Sequence, residues 1–250
     1  APLKEPFRCS ECGWSTSKWV GRCGECQAWG SIDEGTRKLN VVAAGAVTAT
    51  ARPIGEVDLA AAQSRSSGVA ELDRTLGGGL VPGAVVLLAG EPGVGKSTLL
   101  LTVAAESART GLTALYVTGE ESTAQVRLRA ERLSAIHPSL WLAAENELSA
   151  VVAHIDAVKP DLLIIDSIQT MASAAIEGSP GGVTQVREVA NTAIRIAKDR
   201  GITVILVGHV TKDGSIAGPR LLEHLVDVVL NFEGDRHSRL PLVRPITNRF

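Results

Sequence analysis

The strongest constraint on this chain is one eight-residue stretch, Gly90 to Ser97, which reads Gly-Glu-Pro-Gly-Val-Gly-Lys-Ser. It fits the G-x-x-x-x-G-K-S pattern of a P-loop. An apolar run at 85–89 precedes it, and a segment with helical character begins at Thr98. Because strand, glycine-rich turn and helix follow one another, the pattern lies in the setting that a phosphate-binding loop requires.

The residue types in this stretch indicate what it can bind. Gly93 and Gly95 permit backbone angles that turn successive N–H groups toward a phosphate, and the N-terminus of the next helix adds a positive field. Lys96 can reach the β- and γ-phosphates, and the Ser97 hydroxyl can ligate Mg²⁺. A turn that binds nothing is the alternative. We predict a site for ATP or ADP with Mg²⁺, whose nucleotide contacts are Gly90, Glu91, Pro92, Gly93, Val94, Gly95, Lys96, Ser97 and Thr98.

The cysteines lie near the start of the chain, in two C-x-x-C pairs ten residues apart: Cys9, Cys12, Cys23 and Cys26. Two such pairs predict a closed, tetrahedral zinc site with a structural role. Two disulfides or a redox pair are alternatives, which a cytosolic chain with no other cysteine disfavours. Three of the four tryptophans share this segment, and they either pack over the metal site or form a docking face: Trp14, Trp19 and Trp29.

Composition sets limits on the class of protein. A net charge of −2 and a pI of about 6.3 predict neither nucleic acid nor membrane as a partner, so any nucleic-acid site must be a local basic patch. An apolar fraction of 45% is enough for a real core. The sequence contains no apolar run of membrane-spanning length and no signal peptide, and we expect a soluble, cytoplasmic protein without membrane contact.

Beyond the P-loop, apolar strands alternate with helical segments, which predicts an α/β fold with a mainly parallel central sheet. Strands are expected at 113–118, 140–143, 161–166 and 203–209, and helices at 125–133, 148–158 and 184–200. The segments 226–232 and 240–246 indicate an antiparallel pair. This order favours a RecA-like P-loop ATPase core with a small N-terminal zinc-binding module. We divide the chain into a four-cysteine finger at 1–40, a linker at 41–65 and an ATPase domain at 66–250.

Polar residues at the predicted strand ends supply the catalytic candidates. Carboxylates at the carboxyl end of a strand in an open α/β sheet lie at the ligand crevice. Glu120 is predicted to position the water that attacks the γ-phosphate, with Glu121 as the second candidate. We also expect one of the two to cap the helix that follows.

Two further strand ends complete the predicted site. Asp166 follows four apolar residues, as in a Walker B strand, and is predicted to hold Mg²⁺ together with Ser97. His209 ends another apolar strand and either senses the γ-phosphate or is a core histidine.

Together these residues resemble one family, the bacterial RadA (also called Sms) DNA repair ATPases. The resemblance covers nearly all of the chain except the linker. Its carriers are the four-cysteine finger, Leu76–Gly79, Gly90–Ser97, Tyr116–Ser122, Ile165–Gln169, Val207–Gly214 and Asn248–Phe250.

The resemblance implies a ring-forming, DnaB-like ATPase and DNA helicase that acts with the RecA recombinase in branch migration on single-stranded and branched DNA. It implies a homo-hexamer at full length, a finger linked to RecA, and a Lon-like C-terminal domain before which this chain is expected to be truncated. Arg249 lies in the family's Lys-Asn-Arg-Phe-Gly motif and is expected to act as an arginine finger. This sequence has Thr247 at the Lys position.

Two glycine-containing loops, 178–182 and 212–220, are expected to face the DNA. Their cations would contact the phosphate backbone without reading bases, as suits a protein that moves along any sequence. The DNA contacts we predict are Arg187, Lys212 and Arg220, and surface ion pairs are the alternative for each. A KaiC-like or archaeal-type recombinase ATPase and a nucleotide-gated scaffold that binds RecA are the competing functions.

Overall fold

The computed structural model describes residues 7–34, 50–57, 59, 62–209, 222–234 and 241–249. The chain forms two compact units, Ala1–Val57 and Asp58–Phe250, which we treat separately. Among the described residues, no helix has both the length and the apolar character needed to cross a bilayer.

The first unit is a small antiparallel sheet with strand order β2-β1-β3. Its strands are β1 (Phe7–Cys9), β2 (Ser15–Thr16) and β3 (Ile32–Glu34), and a short 3₁₀ helix follows at Ile54–Glu56. Among the described residues of this unit, the buried apolar cluster consists of Cys9, Cys23 and Ile32, against which Phe7, Trp14 and Val20 pack. So small a core gives little stability by itself, and units of this size usually need a metal or disulfides.

The second unit is a seven-stranded sheet covered by helices. Its strands are β4 (Val85–Gly90), β5 (Ala114–Thr118), β6 (Leu140–Ala144), β7 (Leu162–Asp166), β8 (Thr203–His209), β9 (Val228–Gly234) and β10 (Pro241–Asn248). Its helices are α1 (Ala70–Leu76), α2 (Lys96–Arg109), α3 (Thr123–Arg132), α4 (Leu148–Val158) and α5 (Val183–Arg200), with a 3₁₀ turn at Ile168–Thr170. The alternation of strands and helices follows the sequence prediction closely.

The strand order is β10-β9-β4-β8-β7-β5-β6, and every pairing is parallel except that of β9 with β10. This confirms the α/β class and the mainly parallel sheet, and it places the antiparallel pair at one edge. In β4, Val85 and Leu87 face one apolar cluster, whereas Val86 and Leu88 face the other. Such a strand is apolar throughout because helices cover both faces of the sheet.

The start of α3 differs from the expectation. The helix begins at Thr123, and Ser122 caps it: its hydroxyl accepts the Gln125 N–H while the Gln125 side chain accepts the Ser122 N–H. The expectation that Glu120 or Glu121 caps this helix was therefore wrong. A serine hydroxyl next to the first turn satisfies the free N–H groups, and both glutamates lie upstream of it.

A carboxylate stabilises the amino-terminal edge of the sheet through hydrogen bonds. Asp227 accepts the backbone N–H of Val85 at 2.9 Å and the amino group of Lys198 at 2.9 Å. Its side chain is only 16% exposed, whereas that of Lys198 is 50% exposed. Since β4 leads directly into the P-loop, this bond fixes the start of the strand that positions the loop.

We predict that Asp227→Ala lowers the free energy of unfolding by about 1–3 kcal/mol, because the buried Val85 N–H loses its acceptor. Lys198→Ala is the matched control and should cost less than about 1 kcal/mol, since that ion pair is half-exposed. Urea denaturation of both variants measures the difference. Equal losses would mean that the ion pair, and not the bond to the strand, is what stabilises this edge.

Candidate functional site

The P-loop has the backbone that its glycines predict. Gly93 and Gly95 have φ values of 79° and 105°, in the region that favours glycine, and Gly95 is the N-cap of α2. A Cβ added at Gly93 would meet no atom within 4 Å, so the loop is open on that side. At Gly90 a Cβ would come within 2.4 Å of the Phe232 carbonyl oxygen. The end of β4 can therefore lie this close to β9 only because residue 90 is a glycine. The loop therefore leaves the N-terminus of α2 accessible to a phosphate.

The side chain of Lys96 is buried at this loop. Its amino group donates to the carbonyl oxygens of Gly90 at 2.9 Å and Glu91 at 2.7 Å. Burial lowers the pKa of Lys96, and the negative charges of Asp166 and Glu120 oppose this effect. Lys96, Asp166 and Glu120 therefore interact electrostatically at the carboxyl edge of the sheet.

Glu120 is held between two strand ends. Ser167, after β7, donates its hydroxyl to Glu120 Oε1 at 2.7 Å, and His209 Nε2, at the end of β8, lies 2.9 Å from the same oxygen. Burial raises the pKa of Glu120, but the bonds from Ser167 and His209 and the charge of Lys96 outweigh this and hold the pKa below its usual value. A carboxylate in this setting stays deprotonated at neutral pH and can accept a proton.

Glu121 points elsewhere: it forms an ion pair with Arg129 of α3. The structure therefore separates the two adjacent glutamates that the sequence left as alternatives. Gly119 matters for this arrangement, since a Cβ there would come within 2.1 Å of the Thr170 hydroxyl. Glycine lets the end of β5 approach the 3₁₀ turn after β7, which brings Ser167 to Glu120.

Asp166, at the end of β7, is 5% exposed and accepts a hydrogen bond from the Tyr116 hydroxyl at 2.5 Å. Burial and the negative charge of Asp166 raise the pKa of Tyr116, and the nearby Ser97 side chain opposes this shift. An aspartate and a hydroxyl are hard oxygen donors, which fit Mg²⁺. The sequence analysis missed Tyr116 and Ser167. The lone tyrosine of the chain in an otherwise aliphatic strand was the available signal for the first.

The four cysteines converge as the sequence predicts. Their sulfur atoms all lie within 4.8 Å of one another. The sulfurs of Cys9 and Cys26 are 3.7 Å apart and those of Cys12 and Cys23 are 3.5 Å apart, and all four cysteines are free. A tetrahedral zinc ion with Zn–S bonds of about 2.3 Å has sulfurs separated by about 3.8 Å, so the cluster fits zinc and not disulfides.

The thiols of this cluster differ in acidity. The hydrogen bond with the Ser31 hydroxyl lowers the pKa of Cys9 to about 6. At Cys26 a backbone hydrogen bond from Ala28 lowers the pKa, but burial and the neighbouring sulfurs raise it to about 12. Charge accumulates when several thiolates share so small a space, and a divalent cation at the centre would relieve it.

Arg249, the predicted arginine finger, lies at the edge of the sheet opposite to the P-loop. Arg249 follows β10 at the amino-terminal edge of the sheet, where its N–H donates to the Asp227 carbonyl and its guanidinium donates to the His224 carbonyl at 3.1 Å. Arg187 is exposed on the first turns of α5. Lys212 and Arg220 lie outside the residues that the structure describes.

Comparison with known proteins agrees with this geometry. A family described as an AAA domain matches residues 51–215, and one described as a rubredoxin metal binding domain matches residues 7–34. Relatives named DNA repair protein RadA are 54% identical in Mycolicibacterium smegmatis, 52% in Mycobacterium tuberculosis and 46% in Streptococcus pyogenes. The matches cover 99–100% of this chain but 53–56% of those proteins, so the chain spans little more than half their length.

We predict that the protein binds one zinc ion and that Cys23→Ser abolishes this binding, because the buried thiolate is lost from a four-sulfur set. Glu25→Gln, within the same C-x-x-C turn, is the matched control and should keep the metal. Elemental analysis of the purified variants gives the stoichiometry. Tryptophan fluorescence, to which Trp14, Trp19 and Trp29 of this unit contribute, follows its unfolding upon chelation. Full zinc occupancy in Cys23→Ser would contradict the assignment.

Proposed function

Since the chain belongs to the AAA domain family, in the branch whose curated relatives are named DNA repair protein RadA, we propose that it hydrolyses ATP to drive a step of DNA repair. The observation that carries this proposal is the position of Glu120. It is a deprotonated carboxylate held by hydrogen bonds with Ser167 and His209, close enough to Lys96 for the two charges to interact. A loop that only bound nucleotide would have no need for a positioned base.

Each side chain has a role in this proposal. Lys96 moves its amino group from the carbonyls of Gly90 and Glu91 to the β- and γ-phosphates of ATP. Glu120 orients the attacking water and accepts its proton. His209 couples the nucleotide state of the site to the segment that follows β8. Mg²⁺, held by Ser97 and Asp166, supplies positive charge to the phosphates when bound.

Arg249 supports a role for assembly. The P-loop follows the carboxyl end of β4, whereas Arg249 is bonded to Asp227, whose N–H donates to the carbonyl of Val85 at the opposite end of that strand. An arginine at that edge is remote from the phosphates of its own subunit. We therefore propose that Arg249 completes the site of a neighbouring subunit in a homo-hexamer, as an arginine finger.

DNA and the RecA recombinase are the proposed partners, with helicase activity and branch migration as the proposed outcome. The loop before α5 is anchored by the buried Gln185, whose amide bonds to Ser173, Ile176 and Gly178. Two residues later Arg187 is exposed, where it can contact a phosphate.

In the first unit Trp19 is 65% exposed and Trp29 is 77% exposed, which supports a docking face for RecA.

We expect Glu120→Gln to lower kcat for ATP hydrolysis by about 100-fold or more while ATP affinity is kept, because the amide cannot accept a proton. Glu121→Gln is the matched control and should stay within about threefold, since Glu121 is paired with Arg129. Single-turnover assays with radiolabelled ATP, with and without single-stranded DNA, measure both. A larger loss in Glu121→Gln would overturn the assignment of the base. Tight ATP binding without hydrolysis in the unmodified chain would favour the nucleotide-gated scaffold.

DNA affinity should fall steeply with salt, because phosphate contacts release counterions. Arg187→Ala should reduce the slope of log affinity against log salt by about one unit, the loss of one phosphate contact. Arg195→Ala, on the same helix, is the matched control and should leave the slope unchanged. Fluorescence anisotropy with labelled single-stranded DNA at several salt concentrations measures both. An affinity that does not respond to salt would discard this interface.

A further inference from the structure

Tyr116 is the only tyrosine of the chain. Its ring is 1% exposed in the apolar cluster between β5 and the helices α2 and α3. The other residues of β5 that face the cores are aliphatic, and a phenylalanine would fill the same volume. A buried hydroxyl costs free energy unless it is hydrogen-bonded, so its partners indicate what it does there.

Its hydrogen-bond partner is one of the two residues proposed to hold Mg²⁺. The Tyr116 hydroxyl donates to Asp166 Oδ2 at 2.5 Å. This bond uses the single phenolic hydrogen, and Asp166 is the acceptor. Both groups are buried, since Asp166 is 5% exposed.

The bond from Tyr116 constrains how Asp166 can bind a metal ion. When Asp166 Oδ2 is held by Tyr116, the carboxylate is fixed in rotation and Oδ1 is left free of that bond. Metal-binding groups usually depend on such outer hydrogen bonds for their orientation.

We propose that Tyr116 is a positioning residue that orients Asp166 for Mg²⁺, a role that rests on the proposed ATP hydrolysis. It touches neither the phosphates nor the attacking water. Its effect is on the affinity of the site for the metal ion and not on the chemistry once the metal is bound.

The test is Tyr116→Phe, which keeps the ring and removes the hydroxyl. The Mg²⁺ concentration for half-maximal hydrolysis should rise about tenfold, while kcat at saturating Mg²⁺ recovers. A second readout needs no turnover. Mg²⁺ should tighten the binding of a non-hydrolysable ATP analogue less in Tyr116→Phe than in the parent, by the same factor, whereas binding without Mg²⁺ should be equal in both.

Thr203→Val is the matched control. It also removes one buried hydroxyl without changing shape, since Thr203 donates to the Val81 carbonyl at 2.8 Å at the opposite end of the sheet. Its Mg²⁺ dependence should equal that of the parent. An unchanged Mg²⁺ dependence in Tyr116→Phe, or the same change in both variants, would overturn the inference.

Failure of the proposed role of Tyr116 can be distinguished from failure of the proposed ATP hydrolysis. If the parent chain does not hydrolyse ATP, the proposed function fails, and the binding measurement still tests Tyr116. If Tyr116→Phe does not fold, 3-fluorotyrosine in the parent gives a single ¹⁹F resonance. That resonance should shift when Mg²⁺ is added to the nucleotide-loaded protein, and a resonance that stays in place would overturn the inference.

Discussion

The arrangement on which the rest depends is the placement of one buried ammonium and two carboxylates at the carboxyl edge of the sheet. Lys96, Asp166 and Glu120 come from three separate segments, and none of them is stable in an apolar core by itself. Asp166 and Glu120 offset the cost of burying the Lys96 ammonium, and the hydroxyls of Tyr116 and Ser167 each donate to one carboxylate oxygen. Lys96 and Asp166 are buried and Glu120 is exposed, so the site is a charge network open to solvent at Glu120, with the composition of a catalytic centre.

The sheet makes this network possible because its strands are parallel. The strands β4, β5, β7 and β8 all end at one edge, so the residues that follow each of them meet. Helices on both faces shield the strands from water, which strengthens the electrostatic interactions at the edge. Glycine at positions 90 and 119 lets the strand ends approach more closely than any side chain would allow.

The first unit depends on a different principle. Its buried cluster contains two of the four cysteines, so the sulfurs form the core as well as the metal site. Apolar packing alone is too small to hold such a unit together, and a metal ion bound by the four thiolates would supply the missing free energy. Two exposed tryptophans, Trp19 and Trp29, remain on its surface, and the Arg22 guanidinium lies 5.7 Å from the centre of the Trp29 ring.

The sequence by itself determined the class of fold, the P-loop, the four-cysteine cluster and the strand that ends at Asp166, because each is a local pattern with a fixed spacing. It placed Glu120 first and Glu121 second as the catalytic base, but adjacent residues carry the same chemistry, and only the direction of each side chain distinguishes them. It assigned a cap to a glutamate where Ser122 supplies it. It also missed Tyr116 and Ser167, because their partners lie 50 and 47 residues away along the chain. Only the tertiary structure brings such groups within hydrogen-bond distance, since strand pairing, and not local sequence, decides which strand ends become neighbours.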